Sequence, residues 1–137
     1  MTDAELCRKS YDMIVRRNAN WAEAFYDRLF ALIPEARALF PTDLEGQSEK
    51  LRATLQVALS MLESPEALVA SLRSLGARHV DYGADADHYQ LVSEVLIDTL
   101  AECAGDAWTP EVSAAWANVL AVVTGEMRAG AEEAAAA

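Results

Sequence analysis

One helical stripe constrains this chain more than any other feature. Leu68, Leu72, Leu75 and His79 follow steps of four, three and four, the spacing that puts side chains on one face of an α-helix. A face that is leucine at three positions points into a core and carries the histidine with it. A buried polar group without a partner costs about 1–3 kcal/mol, so His79 needs a hydrogen-bond partner or a metal. The chain has one other histidine, His88, and two cysteines, Cys7 and Cys103. A metal at His79 would therefore draw the rest of its coordination from a cofactor. The alternative is a core histidine satisfied by its own helix.

The remaining segments also read as helix, with explicit breaks. Asp3 is placed to cap a first helix running to about Arg17, and Asn18 and Asn20 punctuate before a second from Trp21 to Ile33. Pro34 suits the first turn of a short helical segment ending near Phe40, and Pro41-Thr42-Asp43 makes a corner. A long helix follows over Leu44–Leu62, and Ser64-Pro65-Glu66 opens another to about Val80. Beyond the turn at Gly83, a helix spans Asp87–Cys103 and Gly105 closes it. Thr109-Pro110-Glu111 opens the last, to about Ala129, after which an alanine-rich end is expected to fray. Tyr89, Val92, Leu96 and Leu100 form one apolar stripe; Val112, Trp116, Leu120, Val123 and Met127 form another. No strand pattern or long internal repeat competes. The predicted class is all-α, with six to eight helices in a compact bundle or globin-like arrangement.

Composition narrows the partners. Hydrophobic residues make up 53% of the 137 residues, enough for a packed core. A net charge of −11 disfavours nucleic acid and anionic membrane surfaces. No apolar run approaches the ~20 residues of a membrane-spanning helix. The start, Met1-Thr2-Asp3-Ala4-Glu5, lacks a signal-peptide pattern, so the expected compartment is cytoplasmic. Cys7 and Cys103 lack Cys-x-x-Cys spacing and read as reduced thiols.

Three stretches together resemble the globin family, in particular single-domain bacterial haemoglobins and the haem domain of flavohaemoglobins. The first is Phe25-Tyr26-Asp27-Arg28-Leu29-Phe30 with Pro34 and Leu39-Phe40-Pro41. The second is Gln47-Ser48-Glu49-Lys50-Leu51-Arg52-Ala53-Thr54-Leu55. The third is Leu75 to Gly83, continuing into Asp87-His88-Tyr89-Gln90-Leu91-Val92. The resemblance implies a globin fold around one b-type haem (iron protoporphyrin IX), with a globin domain over residues 1–131 and an Ala-rich tail over 132–137.

It also implies roles. His79 matches the proximal ligand to the haem iron, its ring held by the Leu75 carbonyl one turn earlier. Tyr26 and Gln47 match the distal hydrogen-bonding pair, the residues on which reactivity would depend. The corner before Gln47 leaves open whether its side chain points in or out. Leu51 matches the residue that limits ligand access, and Phe40 the aromatic that packs against the porphyrin. Lys50 and Arg78 are candidates to pair with the propionates. Tyr82 is a packing residue at the haem edge, and His88 is expected in solvent. Tyr89 matches a tyrosine behind the proximal histidine. In flavohaemoglobins that tyrosine works with a glutamate of the last helix, and an ungapped count puts Glu133 there.

The implied function is reversible binding of dioxygen, nitric oxide or another diatomic gas at ferrous iron, for oxygen transport or storage or for nitric oxide dioxygenation. No Gly-x-Gly-x-x-Gly run is present, so turnover would call on an external reductase. A gas-sensing module acting through a separate partner chain is the alternative. A haem-free helical interaction protein with a structural His79 is the third reading. Monomer and homodimer both remain open.

Overall fold

The computed structural model describes residues 1–40, 43–81 and 86–136. Its α-helices are α1 (Asp3–Arg17), α2 (Trp21–Leu32), α3 (Leu44–Ser60), α4 (Pro65–Asp81), α5 (Ala86–Ala104) and α6 (Pro110–Ala136). Short 3₁₀ segments, Pro34–Leu39 and Gly105–Ala107, follow α2 and α5. No strand occurs among the described residues. The all-α expectation holds, and the breaks fall where proline, glycine and capping residues stand.

Local chemistry accounts for the ends. Thr2, rather than Asp3, caps α1: its hydroxyl accepts the Glu5 amide at 3.2 Å, leaving Asp3 in the first turn. The Asp43 carboxylate caps α3 by accepting the Gly46 amide at 3.1 Å. Thr109 Oγ1 accepts the Val112 amide at 3.2 Å at the start of α6. Gly105 takes φ +56°, the left-handed conformation that ends α5 cheaply only for glycine.

The main core gathers the inner faces of α1, α2, α3, α5 and α6, with Ile14, Trp21, Leu100 and Trp116 fully buried. Each such side chain contributes roughly 1.5–3 kcal/mol of burial. Trp116 Nε1 donates to Ser10 Oγ at 2.8 Å, and Ser10 Oγ donates on to the Leu6 carbonyl, so α6 is stitched to α1 without an unpaired polar atom. Surface ion pairs tie α2 to its neighbours: Arg52 to Glu23, and Arg28 to Glu102. Cys7 and Cys103 are free. Burial, with Asp3 nearby, pushes the Cys7 thiol up to about 12.

A second, smaller cluster adjoins the first, with Leu62 and Val123 packed against both. It holds Leu68 and Leu72 of α4, Tyr89 of α5 and Met127 of α6, with Leu75 packed against it. Leu68 and Leu72 of the predicted stripe are buried, while Leu75 and His79 are half-buried. α3 and α4 share one turn and then take different partners: α3 packs on α2, and α4 packs extensively on α6.

The α4–α6 crossing is unusually close. A Cβ built on Gly76 would lie 1.9 Å from the Met127 carbonyl oxygen, and one on Gly130 would lie 2.1 Å from that of Arg73. Two glycines thus let two helix backbones touch, each facing the other helix's main chain. Arg73 reinforces the contact by pairing with Glu126 at 3.0 Å and Glu133 at 3.2 Å. With these contacts α6 continues to Ala136, beyond the end near Ala129 that the sequence suggests.

Gly76→Ala should force the crossing apart, because the obstructing atoms are backbone and cannot rotate away. The expected loss is about 1–3 kcal/mol, read as a lower urea midpoint. Gly125→Ala, where an added Cβ meets nothing within 4 Å, should not lose stability.

Candidate functional site

His79 sits near the end of α4, three residues past the glycine crossing. Its Nδ1 is 2.8 Å from the Leu75 carbonyl oxygen. A carbonyl only accepts, so Nδ1 carries the proton and the Nε2 lone pair is the ring's basic position. The ring is partly exposed, in keeping with a position at the edge of the smaller cluster. Tyr89 stands behind it, ring centroids 6.2 Å apart and tilted by 32°. Among the described residues the buried Tyr89 Oη has no hydrogen-bond partner. Burial raises its pKa, and Arg128 draws it partly back.

Tyr26 lies in the main core on α2, 4% exposed. Three aromatics enclose it: Phe25 edge-on at 5.0 Å, Phe30 stacked at 5.9 Å and Phe40 edge-on at 5.3 Å. Such contacts fix the ring's orientation. Gln47, in the first turns of α3, reaches it: Gln47 Nε2 donates to Tyr26 Oη at 3.2 Å. The question left by the corner is answered on this side, and Gln47 points inward. Because Tyr26 Oη accepts this bond, its own proton remains available to donate elsewhere. Burial pushes the Tyr26 phenol above its usual value of 10.0, and the Gln47 bond pulls partly against that rise. Tyr26 is therefore a neutral donor throughout the ordinary pH range.

The other expected residues sort by exposure. Phe40 and Leu51 are partly buried against the main core, and Leu75 against the smaller one. Lys50 and Arg78 are exposed, each one position from a pocket residue. His88 is partly buried rather than fully in solvent. Tyr82 lies outside the described residues. Glu133 does not join Tyr89; it is held by Arg73, as is Glu126. Sequence reasoning named neither Arg73 as their partner nor Phe25 and Phe30 as walls around Tyr26. The i, i+4 recurrence of Tyr26 and Phe30 was the available signal for the latter.

The arrangement has two faces. One presents a histidine of fixed tautomer with a tyrosine behind it. The other presents a phenol and an amide in a dry aromatic setting. Among the described residues no three His, Cys, Asp or Glu side chains gather to hold a metal ion by themselves. None of the described helices is long and apolar enough to cross a membrane.

Residues 23–127 match the globin family model, and the chain belongs to the globin family. It is 29% identical over 121 residues to a leghemoglobin of Psophocarpus tetragonolobus, covering 81% of this chain and 83% of that one. It is 31% identical over 97 residues to a flavohemoprotein of Rhizobium meliloti (strain 1021), covering 69% of this chain and 24% of that protein's length. Among solved structures it is similar to an engineered carbene transferase, described as a “putative nitric oxide dioxygenase from Rhodothermus marinus”. There the identity is 27% and the TM-score 0.85, covering 98% of this chain and 94% of the other.

Globin membership implies a haem, and the residues present fit one. The apolar side chains form two clusters rather than one, with His79 at the edge of one and Tyr26 in the other. Phe40, Leu51 and Leu75 keep exposed apolar surface that a flat hydrophobic group would bury. The Tyr89 ring stands 6.2 Å from that of His79, and its buried hydroxyl is a polar position the described side chains leave unsatisfied.

Gln47→Leu should raise the Tyr26 pKa further, since the bond that favours the phenolate is lost; ring-resolved tyrosine NMR titration checks the sign. Because the folded pKa stands above the unfolded value, this part of stability is whole below about pH 10. It is lost as pH rises through the folded value, and urea midpoints across that range should fall accordingly.

Proposed function

We propose that this globin holds a b-type haem through His79 and reversibly binds dioxygen, nitric oxide or another diatomic gas beneath Tyr26 and Gln47. The observation that carries the reading is the Gln47 Nε2–Tyr26 Oη hydrogen bond inside the aromatic enclosure. The haem, when bound, supplies the iron that takes the gas and exchanges electrons with it.

The chain's own residues supply the rest. His79 offers Nε2 as ligand, and the Leu75 carbonyl holds the ring in place through Nδ1–H. Gln47 donates to Tyr26 Oη, which polarises the hydroxyl and strengthens its own donation. A donor of this kind would favour a ligand whose outer atom carries partial negative charge. Leu51 and Phe40 keep water and bulky ligands out. Lys50 and Arg78 stand at the rim, where they orient propionates with little net contribution to affinity.

The physiological reading is oxygen handling with nitric oxide dioxygenation. One nitric oxide, one dioxygen and one electron give nitrate, and an external reductase returns the electron. Similarity to the Rhodothermus marinus protein described as a nitric oxide dioxygenase and to a flavohemoprotein supports this reading, and the leghemoglobin supports oxygen binding. The cytoplasm suits such a role.

The test is optical. The chain expressed with haem precursor should show a strong Soret band, and His79→Ala should abolish it or sharply weaken haem retention. Colourless wild-type protein that takes up no hemin sinks the proposal. Tyr26→Phe should speed dioxygen release about tenfold, the effect of losing one hydrogen bond of 1–3 kcal/mol. Stopped-flow release kinetics measure it, and an unchanged rate would make Tyr26 purely structural.

A further inference from the structure

We infer that the cleft between α1 and α3 is a binding site for a small zwitterion, an amino acid with an apolar side chain. The cleft has a volume of about 560 Å³ and is lined from both helices. They run antiparallel: Arg8 pairs with Glu63 at 2.7 Å just past the end of α3, while Arg52, earlier on α3, stands near Tyr11. Val15 and Ala53 line the cleft, and Val15 is 39% exposed there, because so small a neighbour does not cover it. Tyr11 also lines the cleft, although it is only 7% exposed. It is fixed edge-on against Trp21, ring centroids 5.8 Å apart. Burial raises the Tyr11 pKa, and Trp21 and then Arg52 pull it back, which places both beside the Tyr11 hydroxyl. The buried Trp21 indole N–H nevertheless closes no hydrogen bond among the described residues. A phenol that meets a donor from behind turns its own proton outward, so Tyr11 presents an O–H donor to the cleft. Glu23 holds Arg52 through Nη1, which leaves the other N–H groups of that guanidinium to donate.

The charges on the lining decide the ligand. Arg16 and Arg52 are matched by Asp12 and Glu49, so the cleft carries no net charge. Asp12 and Arg16 are four apart on α1 and neighbours on one helix face, yet neither forms an ion pair among the described residues. Both signs are therefore open to a ligand. A multiply charged anion such as phosphate would gain from the arginines and be repelled by both carboxylates. A simple amine would meet the reverse. A molecule that carries a carboxylate and an ammonium satisfies both signs at once. Its carboxylate takes the Tyr11, Arg16 and Arg52 donors, and its ammonium takes Asp12. An apolar side chain then lies on Val15 and Ala53 and removes their apolar surface from water. None of these residues belongs to the set assigned to gas binding.

Titration calorimetry of the full chain with L-phenylalanine, hydrocinnamate, phenethylamine and inorganic phosphate tests this. Hydrocinnamate is phenylalanine without the ammonium, and phenethylamine is phenylalanine without the carboxylate. Phenylalanine should bind saturably, and each analogue at least about tenfold more weakly, the effect of one lost charge-assisted contact. Asp12→Asn and Arg16→Gln should each weaken phenylalanine binding to a similar extent. Lys9→Gln, on the same helix but outside the cleft, should leave it unchanged. All three positions are exposed, and helical circular dichroism verifies that each variant is folded. A chain that takes up no phenylalanine overturns the proposal. So does equal binding of phenylalanine and its two analogues, phosphate as the tightest ligand, or binding indifferent to the Asp12 and Arg16 changes. The assay uses no haem readout, so its outcome is separable from that of the gas-binding proposal.

Discussion

Direct backbone contact between α4 and α6 is the constraint on which the rest of the site depends. Gly76 faces the Met127 main chain and Gly130 faces that of Arg73. Side chains at a helix interface can repack around one another, but two backbones in contact leave no such freedom. The height and rotation of α4 are thereby set within a turn of His79. From there the consequences run outward. The Leu75 carbonyl aligns the imidazole, Tyr89 lies behind it, and the smaller apolar cluster closes around Met127. Arg73, on the same turn as the crossing, holds both glutamates at the end of α6. The helix that carries His79 is thus gripped by α6.

The opposite face is organised by a different principle. Tyr26 is placed by aromatic packing and by one polar contact. Burial keeps the phenol neutral, and Gln47 occupies its acceptor side, so the proton is directed away from the protein's own amide. Phe25, Phe30 and Phe40 exclude competing water, which makes the remaining hydrogen bond count for more than it would in solvent. His79 is held by its own helix, and Tyr26 by aromatics of α2, by Phe40 and by Gln47 of α3.

What could be read beforehand follows from how local each feature is. The Leu68–His79 stripe lies within one helix, so its spacing was legible; the His79–Leu75 bond is as local, and the family resemblance pointed to it. The chain breaks were equally legible, because Pro34, Pro65, Gly105 and Pro110 act on neighbouring backbone. Tyr26 and Gln47 come from two helices joined through a corner; their pairing was suggested by family resemblance and not by period. The crossing was not legible. A glycine inside a helix reads as a local cost of about 1 kcal/mol, and its reason appears only once another helix lies against it. The same is true of Glu133: its register matches the tyrosine, but Arg73 one helix away claims it.

The family match ends at residue 127, while α6 runs on to Ala136. One of the two crossing glycines, Gly130, and one of the two glutamates bound by Arg73 fall in that stretch. A truncation drawn at the family boundary would therefore remove half of the clasp that holds the His79 helix. The last turns of α6, alanine-rich and polar as they are, belong to the support of α4. Fusion tags and linkers attached at this end need to begin beyond the helix and leave its final turns free to lie against α4.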